Sequence, residues 1–341
     1  MEEERQQQYR LLEARIGNTP LVLYDGEVPH GNKIWIKREC DNPFGSHYDR
    51  VYFALFQHYE KYGRIKQGDK VLETSSGTAG VSCASIAKLL GYECHLAIPE
   101  GVDEAVIQKI REEDAVLYFT PEADYINGFP EFVRKFLPKH KDIFFLNHSM
   151  GERHGHAYAN NEIVLSSLGG IATEVVAKMP VDFYLPAVGN GSSILGPGRI
   201  FKPTTKIIAF ESSQSAVAYD LLHPGEYERR FGIKPGVLPR HKLRGTSFQG
   251  IHFPHIENAV KEGIINDVVL VSDVEVSANY FTRTQKNYFN QLPHWDASLL
   301  CVKEYGRSTR AGVVAALEIA KKIESKNFVI IAYDKADRYD L

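Results

Sequence analysis

Two loops of small polar residues have the composition of an anion-binding site. Their sequences are Glu73-Thr74-Ser75-Ser76-Gly77-Thr78-Ala79-Gly80 and Ala187-Val188-Gly189-Asn190-Gly191-Ser192-Ser193. Each follows an apolar strand pattern and precedes a helical one, so its N–H groups lie where the helix dipole favours negative charge. Neither loop matches a P-loop or a dinucleotide fingerprint. The pattern predicts a phosphate or carboxylate site, and a tight strand–helix connection without a ligand is the alternative.

Five separated motifs occur in an order that is typical of one enzyme class. They are the two loops, Ile16-Gly17-Asn18-Thr19-Pro20-Leu21, Asn42-Pro43-Phe44-Gly45-Ser46-His47-Tyr48-Asp49-Arg50 and Tyr333-Asp334-Lys335-Ala336-Asp337-Arg338-Tyr339. This set resembles the fold-type II pyridoxal phosphate (PLP) enzymes, most closely cysteine synthase (O-acetylserine sulfhydrylase) and cystathionine β-synthase. The resemblance runs from about residue 16 to 339. It implies amino-acid β-replacement or β-elimination, which is transferase or lyase chemistry.

Tyr48 is the main departure from that family. The family's second motif reads Asn-Pro-x-Gly-Ser-x-Lys-Asp-Arg, and its lysine forms the Schiff base with the cofactor. The positions that match and set the register are Asn42, Pro43, Gly45, Ser46, Asp49 and Arg50. Tyr48 therefore stands at the lysine position, and a phenol cannot form an imine. We expect PLP, if it binds, only as a noncovalent ligand beside Tyr48.

The resemblance implies roles for both loops. In the family the first loop binds the substrate carboxylate, and an asparagine in it holds the cofactor's ring oxygen. The matching substrate-loop residues here are Ser75, Ser76, Gly77 and Thr78, with Thr78 in place of that asparagine and Ala79 in place of a threonine. The family's phosphate cup corresponds to Gly189, Asn190, Gly191, Ser192 and Ser193. These substitutions keep anion-binding groups but alter the contacts to a pyridoxal ring.

A third family motif corresponds to residues 306–310. The serine that faces the pyridine nitrogen in the family is kept as Ser308, whereas Arg310 replaces a glycine. A guanidinium beside the ring pocket would suit a more anionic ligand than PLP alone. The alternative is that Arg310 turns outward into solvent, as most arginines do.

Other candidate residues have ordinary explanations. His148, His154 and His156 have a spacing that can bind metal, but no carboxylate or cysteine completes the set, so a loop or interface role is favoured and no metal is expected. Lys242 could in principle replace the missing amine, although its family counterpart does not face the cofactor carbonyl. The four cysteines form no CxxC pair and favour reduced, buried thiols.

Short apolar strands alternate with helical patterns along the chain, which predicts parallel sheets covered by helices. Strands are expected at 33–37, 70–73, 93–98, 115–120, 181–186, 206–211, 268–271 and 328–333, and helices at 48–62, 80–90, 104–113, 160–179 and 310–325. An irregular segment is expected at 223–254. The fold class is α/β: a fold-type II PLP enzyme, similar to the tryptophan synthase β chain, with two three-layer domains and parallel-rich sheets. By resemblance the small substrate-loop domain covers 42–151, and the large phosphate-cup domain covers 1–41 and 152–341.

Composition excludes several classes. The 341 residues are 43% hydrophobic with a formal net charge of -3, which gives no support to general nucleic-acid or anionic-membrane binding. No stretch approaches the ~18 apolar residues of a membrane-spanning helix, and the charged first residues do not form a secretory signal. We expect a cytoplasmic protein, a homodimer by resemblance, with an anionic small molecule as its partner.

Three functions follow from these observations. The first is a repurposed enzyme that binds a phosphorylated or carboxylated metabolite without Schiff-base chemistry. The second is an amino-acid lyase or transferase that holds PLP noncovalently and uses Tyr48 as an acid or base. The third is a catalytically inactive pseudoenzyme with a binding or regulatory role.

Overall fold

The computed structural model describes residues 2–149, 157–236, 243, 253–272, 288–295 and 300–339. The strands are β1 (Leu21–Leu23), β2 (Lys33–Lys37), β3 (Lys70–Thr74), β4 (Glu93–Pro99), β5 (Val116–Thr120), β6 (Ile143–Phe145), β7 (Phe183–Leu185), β8 (Lys206–Ser212), β9 (Asp267–Val271) and β10 (Asn327–Ile331). The α-helices of these residues are α1 (Glu2–Glu13), α2 (Tyr48–Lys61), α3 (Thr78–Leu90), α4 (Glu104–Arg111), α5 (Gly128–Phe136), α6 (Ala157–Val176), α7 (Ser192–Phe201), α8 (Val217–Leu222), α9 (Glu226–Phe231), α10 (Pro254–Lys261) and α11 (Arg307–Ala320).

The chain divides into two compact units. Unit 1 consists of Met1–Pro20, Glu39–Leu168 and Asp334–Leu341, and unit 2 consists of Leu21–Arg38 and Gly169–Tyr333. The family-based domain boundaries at residues 42 and 151 stay a prediction. Both units mix helices with parallel-rich sheets, so the predicted α/β class is confirmed.

Unit 1 contains a four-stranded sheet in the order β5-β4-β3-β6. Its pairings are all parallel. The C-terminal ends of β3 and β6 therefore lie at the same edge of the sheet. The first loop and residues 146–148 begin at this edge. Buried apolar side chains of β3, α5 and β6 pack beneath this sheet: Leu72, Val133, Phe136, Ile143 and Phe145.

Unit 2 contains a six-stranded sheet in the order β1-β2-β10-β7-β8-β9. Its pairings are parallel except for the antiparallel hairpin of β1 with β2. The second loop follows β7, and residues 332–333 follow β10, so both leave the same edge of the sheet. Helix α11 packs closely against this sheet. A Cβ at Gly312 of α11 would lie 3.1 Å from the ring of Phe210 in β8.

The predicted strands and helices all occur, with ends that move by a few residues. The largest shift is at α11, which ends at Ala320 instead of residue 325 and begins at Arg307 instead of residue 310, so that Ser308 lies in its first turn. The segment expected to be irregular, 223–254, contains the short helix α9 and the first residue of α10, so that expectation was wrong there. Within the part of the chain that the structure describes, we find no helix with the length and apolar character needed to cross a bilayer.

Candidate functional site

The turn before α2 is held by a buried carboxylate. Asp49 accepts hydrogen bonds from the Ser82 hydroxyl (2.6 Å) and from the Phe44 backbone N–H (2.7 Å). The Ser46 and Ser82 hydroxyls are 2.8 Å apart, and Ser46 Oγ also accepts from the Tyr48 N–H. Burial raises the pKa of Asp49 to about 7, against the opposing effect of these hydrogen bonds. This network fixes the first residue of α2.

Tyr48 starts α2 and lies within a cluster of aromatic rings. Its ring centroid is 4.1 Å from that of His47, 6.4 Å from that of Tyr52 and 5.4 Å from that of His148. The Tyr48 and His148 planes are at 87°, an edge-to-face contact. The phenol is half-buried, whereas His148 is only 4% exposed. The structure therefore places a buried histidine against the ring of Tyr48, the residue predicted to stand at the family's lysine position.

His148 is in turn held by a buried acid. Its Nδ1 lies 3.1 Å from Oε2 of Glu73 and 3.1 Å from the hydroxyl oxygen of Tyr52. Glu73 is fully buried at 0% exposure, and its carboxylate also accepts the backbone N–H groups of Thr74 (2.8 Å) and His148 (3.0 Å). Desolvation raises the pKa of Tyr52 well above its ordinary value, so this phenol stays neutral. An acid, an imidazole and two phenols thus meet in unit 1.

The first loop is closed by its own side chains. The Ser75 Oγ accepts the N–H groups of Gly80 (2.7 Å) and Gly77 (3.1 Å), and it donates to the Gly77 carbonyl (3.0 Å). Ser76 and Gly77 are half-buried at the start of α3. The structure brings all four substrate-loop residues to one helix N-terminus, and their binding role stays a prediction.

Thr78, the first residue of α3, is paired within unit 1. Its hydroxyl donates to Oδ2 of Asp334 at 2.6 Å, and the Tyr339 hydroxyl donates to the same oxygen. Burial raises the pKa of Asp334, while the charge of Arg338 and both hydrogen bonds oppose the rise. A ligand contact to the Thr78 hydroxyl would have to compete with Asp334.

The second loop forms the start of α7 in unit 2. Gly191 has φ +90°, and a Cβ there would lie 2.6 Å from the backbone nitrogen of Ile256, so both conformation and space require glycine. Asn190 Oδ1 accepts the Ser192 N–H (2.9 Å) and the Ser192 hydroxyl (2.6 Å). Two donors that the predicted phosphate cup would use therefore point to Asn190. The cup formed by Gly189, Asn190, Gly191, Ser192 and Ser193 stays a prediction.

Ser308 and Arg310 lie in the first turn of α11. The Arg310 guanidinium donates to the backbone carbonyls of Tyr305 (2.9 Å) and Lys303 (2.6 Å). These bonds hold the guanidinium against the backbone of the preceding turn, and Arg310 is half-buried. A ligand role for Ser308 or Arg310 stays a prediction.

Sequence reasoning did not pair Glu73 and His148 with Tyr48. It placed Glu73 at the end of a strand and the start of the first loop, and it gave His148 a loop or interface role. The signal that could have found the pair was the charge of Glu73 directly after Val71 and Leu72, because a buried carboxylate needs donors nearby. His154, His156 and Lys242 lie outside the described residues.

The residues at the cofactor positions do not fit PLP held through an imine. Tyr48 offers a phenolic oxygen where an amine would be needed. The Thr78 hydroxyl is bonded to Asp334, and the Ser192 donors are bonded to Asn190.

The chain is similar to known enzymes of one family. The family model for pyridoxal-phosphate dependent enzymes matches residues 12–278. A cysteine synthase of Aquifex aeolicus (strain VF5) is 27% identical over 336 residues, covering 95% of this chain and 88% of the relative. Cysteine synthase B of Escherichia coli (strain K12) is 24% identical, covering 96% of this chain and 93% of the relative.

Solved structures share the fold. An O-acetylserine dependent cystathionine β-synthase from Helicobacter pylori has a TM-score of 0.74 at 22% identity, covering 96% of both chains. A hydrogen sulfide-producing enzyme from Fusobacterium nucleatum has a TM-score of 0.75 at 21% identity, covering 96% of this chain and 98% of the other. At these identities the likeness shows the fold alone, and it supports the fold-type II class predicted from the motifs.

Proposed function

Since the chain belongs to the pyridoxal-phosphate dependent enzyme family, we propose that it is a cysteine synthase-like protein that binds an anionic small molecule without Schiff-base chemistry. The ligand would carry a phosphate, a carboxylate or both. The observation that carries this proposal is the phenol of Tyr48 at the position where the motif of the family has a lysine. Amino-acid metabolism is the setting that the relatives support.

The two loops, one in each unit, are each consistent with anion binding. The N-termini of α3 and α7 each offer partial positive charge, and both loops are rich in hydroxyl groups. Carboxylate recognition needs only such donors and no covalent bond. Both loops would therefore still bind an anion in a protein that lacks the lysine amine of the family motif.

In this function the hydroxyl group of Tyr48 is the candidate acid or base. A phenol has an ordinary pKa of about 10, so it acts as a proton donor at neutral pH unless a neighbour takes its proton. The His148 ring lies edge-to-face against the Tyr48 ring, with 5.4 Å between the ring centroids. This contact favours Tyr48 as an acid or base over a purely inert side chain, and it keeps noncovalent PLP chemistry as the second candidate function.

A reductive trapping experiment tests the proposal. The protein is incubated with PLP, reduced with sodium borohydride and analysed by intact-mass and peptide mass spectrometry. We expect no pyridoxyl group on any peptide of the wild type, and a pyridoxyl group on residue 48 of Tyr48→Lys. A trapped lysine elsewhere in the wild type would overturn the proposal.

Thermal unfolding separates the remaining functions. Ligands that bind the folded state raise the melting temperature by mass action. We expect inorganic phosphate or O-phosphoserine to raise it for the wild type and for Tyr48→Phe, since the phenol is not the anion-binding group. A yellow protein with PLP absorbance but no trapped imine would instead support the noncovalent candidate. A colourless protein with no response to either anion would support the pseudoenzyme.

A further inference from the structure

Glu73, His148 and Tyr48 form a chain of contacts that no part of the family motifs describes. The carboxylate of Glu73 is 3.1 Å from Nδ1 of His148, and the imidazole ring stands edge-to-face against the Tyr48 ring at 5.4 Å. Residues 48 and 148 are a hundred positions apart, so the chain must fold to bring them together. The position of the Glu73 carboxylate affects which nitrogen of the His148 ring carries the proton.

Glu73 decides which ring nitrogen is protonated. A carboxylate oxygen has only lone pairs to offer, so a bare Nδ1 at 3.1 Å would face it with no proton between them. Tyr52 could donate to a bare Nδ1 at the same distance, but that would leave the repulsion from Glu73 in place. The lower-energy state has the proton on Nδ1, shared between Oε2 of Glu73 and the Tyr52 oxygen. Nε2 then carries the free lone pair.

The surroundings strengthen this preference. Glu73 is fully buried, so its charge acts through a medium of low dielectric constant. The neighbouring groups Tyr52 on α2 and Cys83 on α3 both have their pKa raised by burial, so they stay neutral and bring no positive charge to the acid. The thiol of Cys94 on β4 lies 3.9 Å from that of Cys83. A positive charge on His148 would be the natural partner of Glu73.

We propose that His148 is the proton acceptor beside Tyr48, with Glu73 as the residue that positions its tautomer. In the proton-transfer step a ligand O–H or N–H gives its proton to Nε2, and the charge of the resulting imidazolium lies against the Glu73 carboxylate. The inference rests on the proposed function, because a site without the lysine amine needs another base. It supplies that base from within unit 1.

The test measures the tautomer in the ligand-free protein, so it does not depend on whether any ligand binds. The ¹⁵N chemical shifts of histidine ring nitrogens distinguish a protonated from a bare nitrogen, and His148→Asn assigns the signal. At a pH where the ring is neutral we expect the Nδ1–H form to exceed the Nε2–H form about ten-fold or more, because the Nδ1–H form donates a hydrogen bond to the Glu73 carboxylate. A dominant Nε2–H form in the wild type would overturn the proposal.

Two variants test the cause. Glu73→Gln removes the charge and can present an N–H to Nδ1, so we expect loss of the Nδ1–H preference; Tyr52→Phe keeps Glu73 and should keep the preference. His140, stacked on Phe136 at 3.9 Å, serves as the control, because its shifts should be the same in both variants. If Glu73→Gln fails to fold, the measurements on the wild type and on Tyr52→Phe still test which tautomer His148 adopts. A trapped imine in the borohydride experiment would overturn the proposed function without changing this tautomer.

Discussion

The Thr78 hydroxyl donates a 2.6 Å hydrogen bond to Asp334, which joins the first turn of α3 to a segment 256 positions further along the chain. Both residues belong to unit 1, and Asp334 is only 4% exposed. The bond gives the Thr78 side chain a structural role within unit 1. The C-terminal end of the predicted substrate loop is thereby fixed to the last described segment.

A double-mutant cycle measures that bond. We expect Thr78→Val and Asp334→Asn each to lower the free energy of unfolding by about 1–3 kcal/mol, because each leaves a buried polar group with a weaker partner. The double variant should cost less than the sum of the two, with a coupling of about 0.5–3 kcal/mol. Tyr339→Phe, which removes the other donor to the same oxygen, is the control for general loosening. Strictly additive costs in urea unfolding would mean that the two side chains do not interact.

The raised pKa of Asp49 predicts that the free energy of unfolding falls as the pH rises. Burial raises its folded-state pKa to about 7 from the usual 3.8, so folding favours the protonated acid. The contribution is complete below pH 3.8 and is lost as the pH rises toward 7. We expect the unfolding free energy of the wild type to fall over this window relative to Asp49→Asn, which cannot titrate.

The asparagine variant is a close match in shape and bonding. Its oxygen can accept the Phe44 N–H, and its amide can donate to Ser82, whose hydroxyl then donates to Ser46. Asp25→Asn, at an exposed carboxylate, controls for loss of charge and should leave the pH profile unchanged. Parallel profiles for the wild type and Asp49→Asn between pH 4 and 7 would contradict the raised pKa.

Gly191→Ala should disrupt the start of α7. The substitution places a Cβ at φ +90° and 2.6 Å from the backbone nitrogen of Ile256, which cannot move aside as a side-chain tip could. Gly225→Ala is the matched control, with φ +76° and no atom within 4 Å of the added carbon. We expect the control to cost about 1–2 kcal/mol from its conformation alone and Gly191→Ala to cost clearly more. Equal costs in urea unfolding would show that Ile256 yields.

Asn190→Ala should free the Ser192 N–H and hydroxyl. Losing the side-chain acceptor should lower the unfolding free energy by about 1 kcal/mol, as for other residues that cap a helix start. If the second loop binds phosphate, the same variant should gain more thermal stability from inorganic phosphate than the wild type does. Asn190→Asp keeps an acceptor and adds negative charge, so it should lose that response. An unchanged phosphate effect in both variants would place the anion elsewhere.

The sequence predicted the strands and helices well because their apolar periodicity is local. β2, β8 and α2 end within about a residue of their expected positions. The start of α11 was missed because Arg307 to Thr309 carry no apolar residue, although they form its first turn. Periodicity detects the buried face of a helix and not its ends.

The site was predictable only as far as its motifs extend. The motif around Tyr48 and the two loops located the unusual phenol and two helix N-termini. The pairings of Thr78 with Asp334 and of Tyr48 with His148 join residues far apart in the chain, and no spacing rule connects them. The internal bond of Asn190 with Ser192 is local, but it depends on the side-chain orientation that the fold selects.

Unit 1 is assembled from three stretches of chain, and the third begins at Asp334, after every residue of unit 2. During synthesis on the ribosome, Thr78 and the turn at Phe44 are therefore made long before Asp334 and Arg338, their partners in the finished fold. Until those residues leave the ribosome, the nascent first loop and the turn at Phe44 lack these hydrogen bonds. A chain interrupted within unit 2 would carry both motifs of unit 1 and still lack the contacts that hold them.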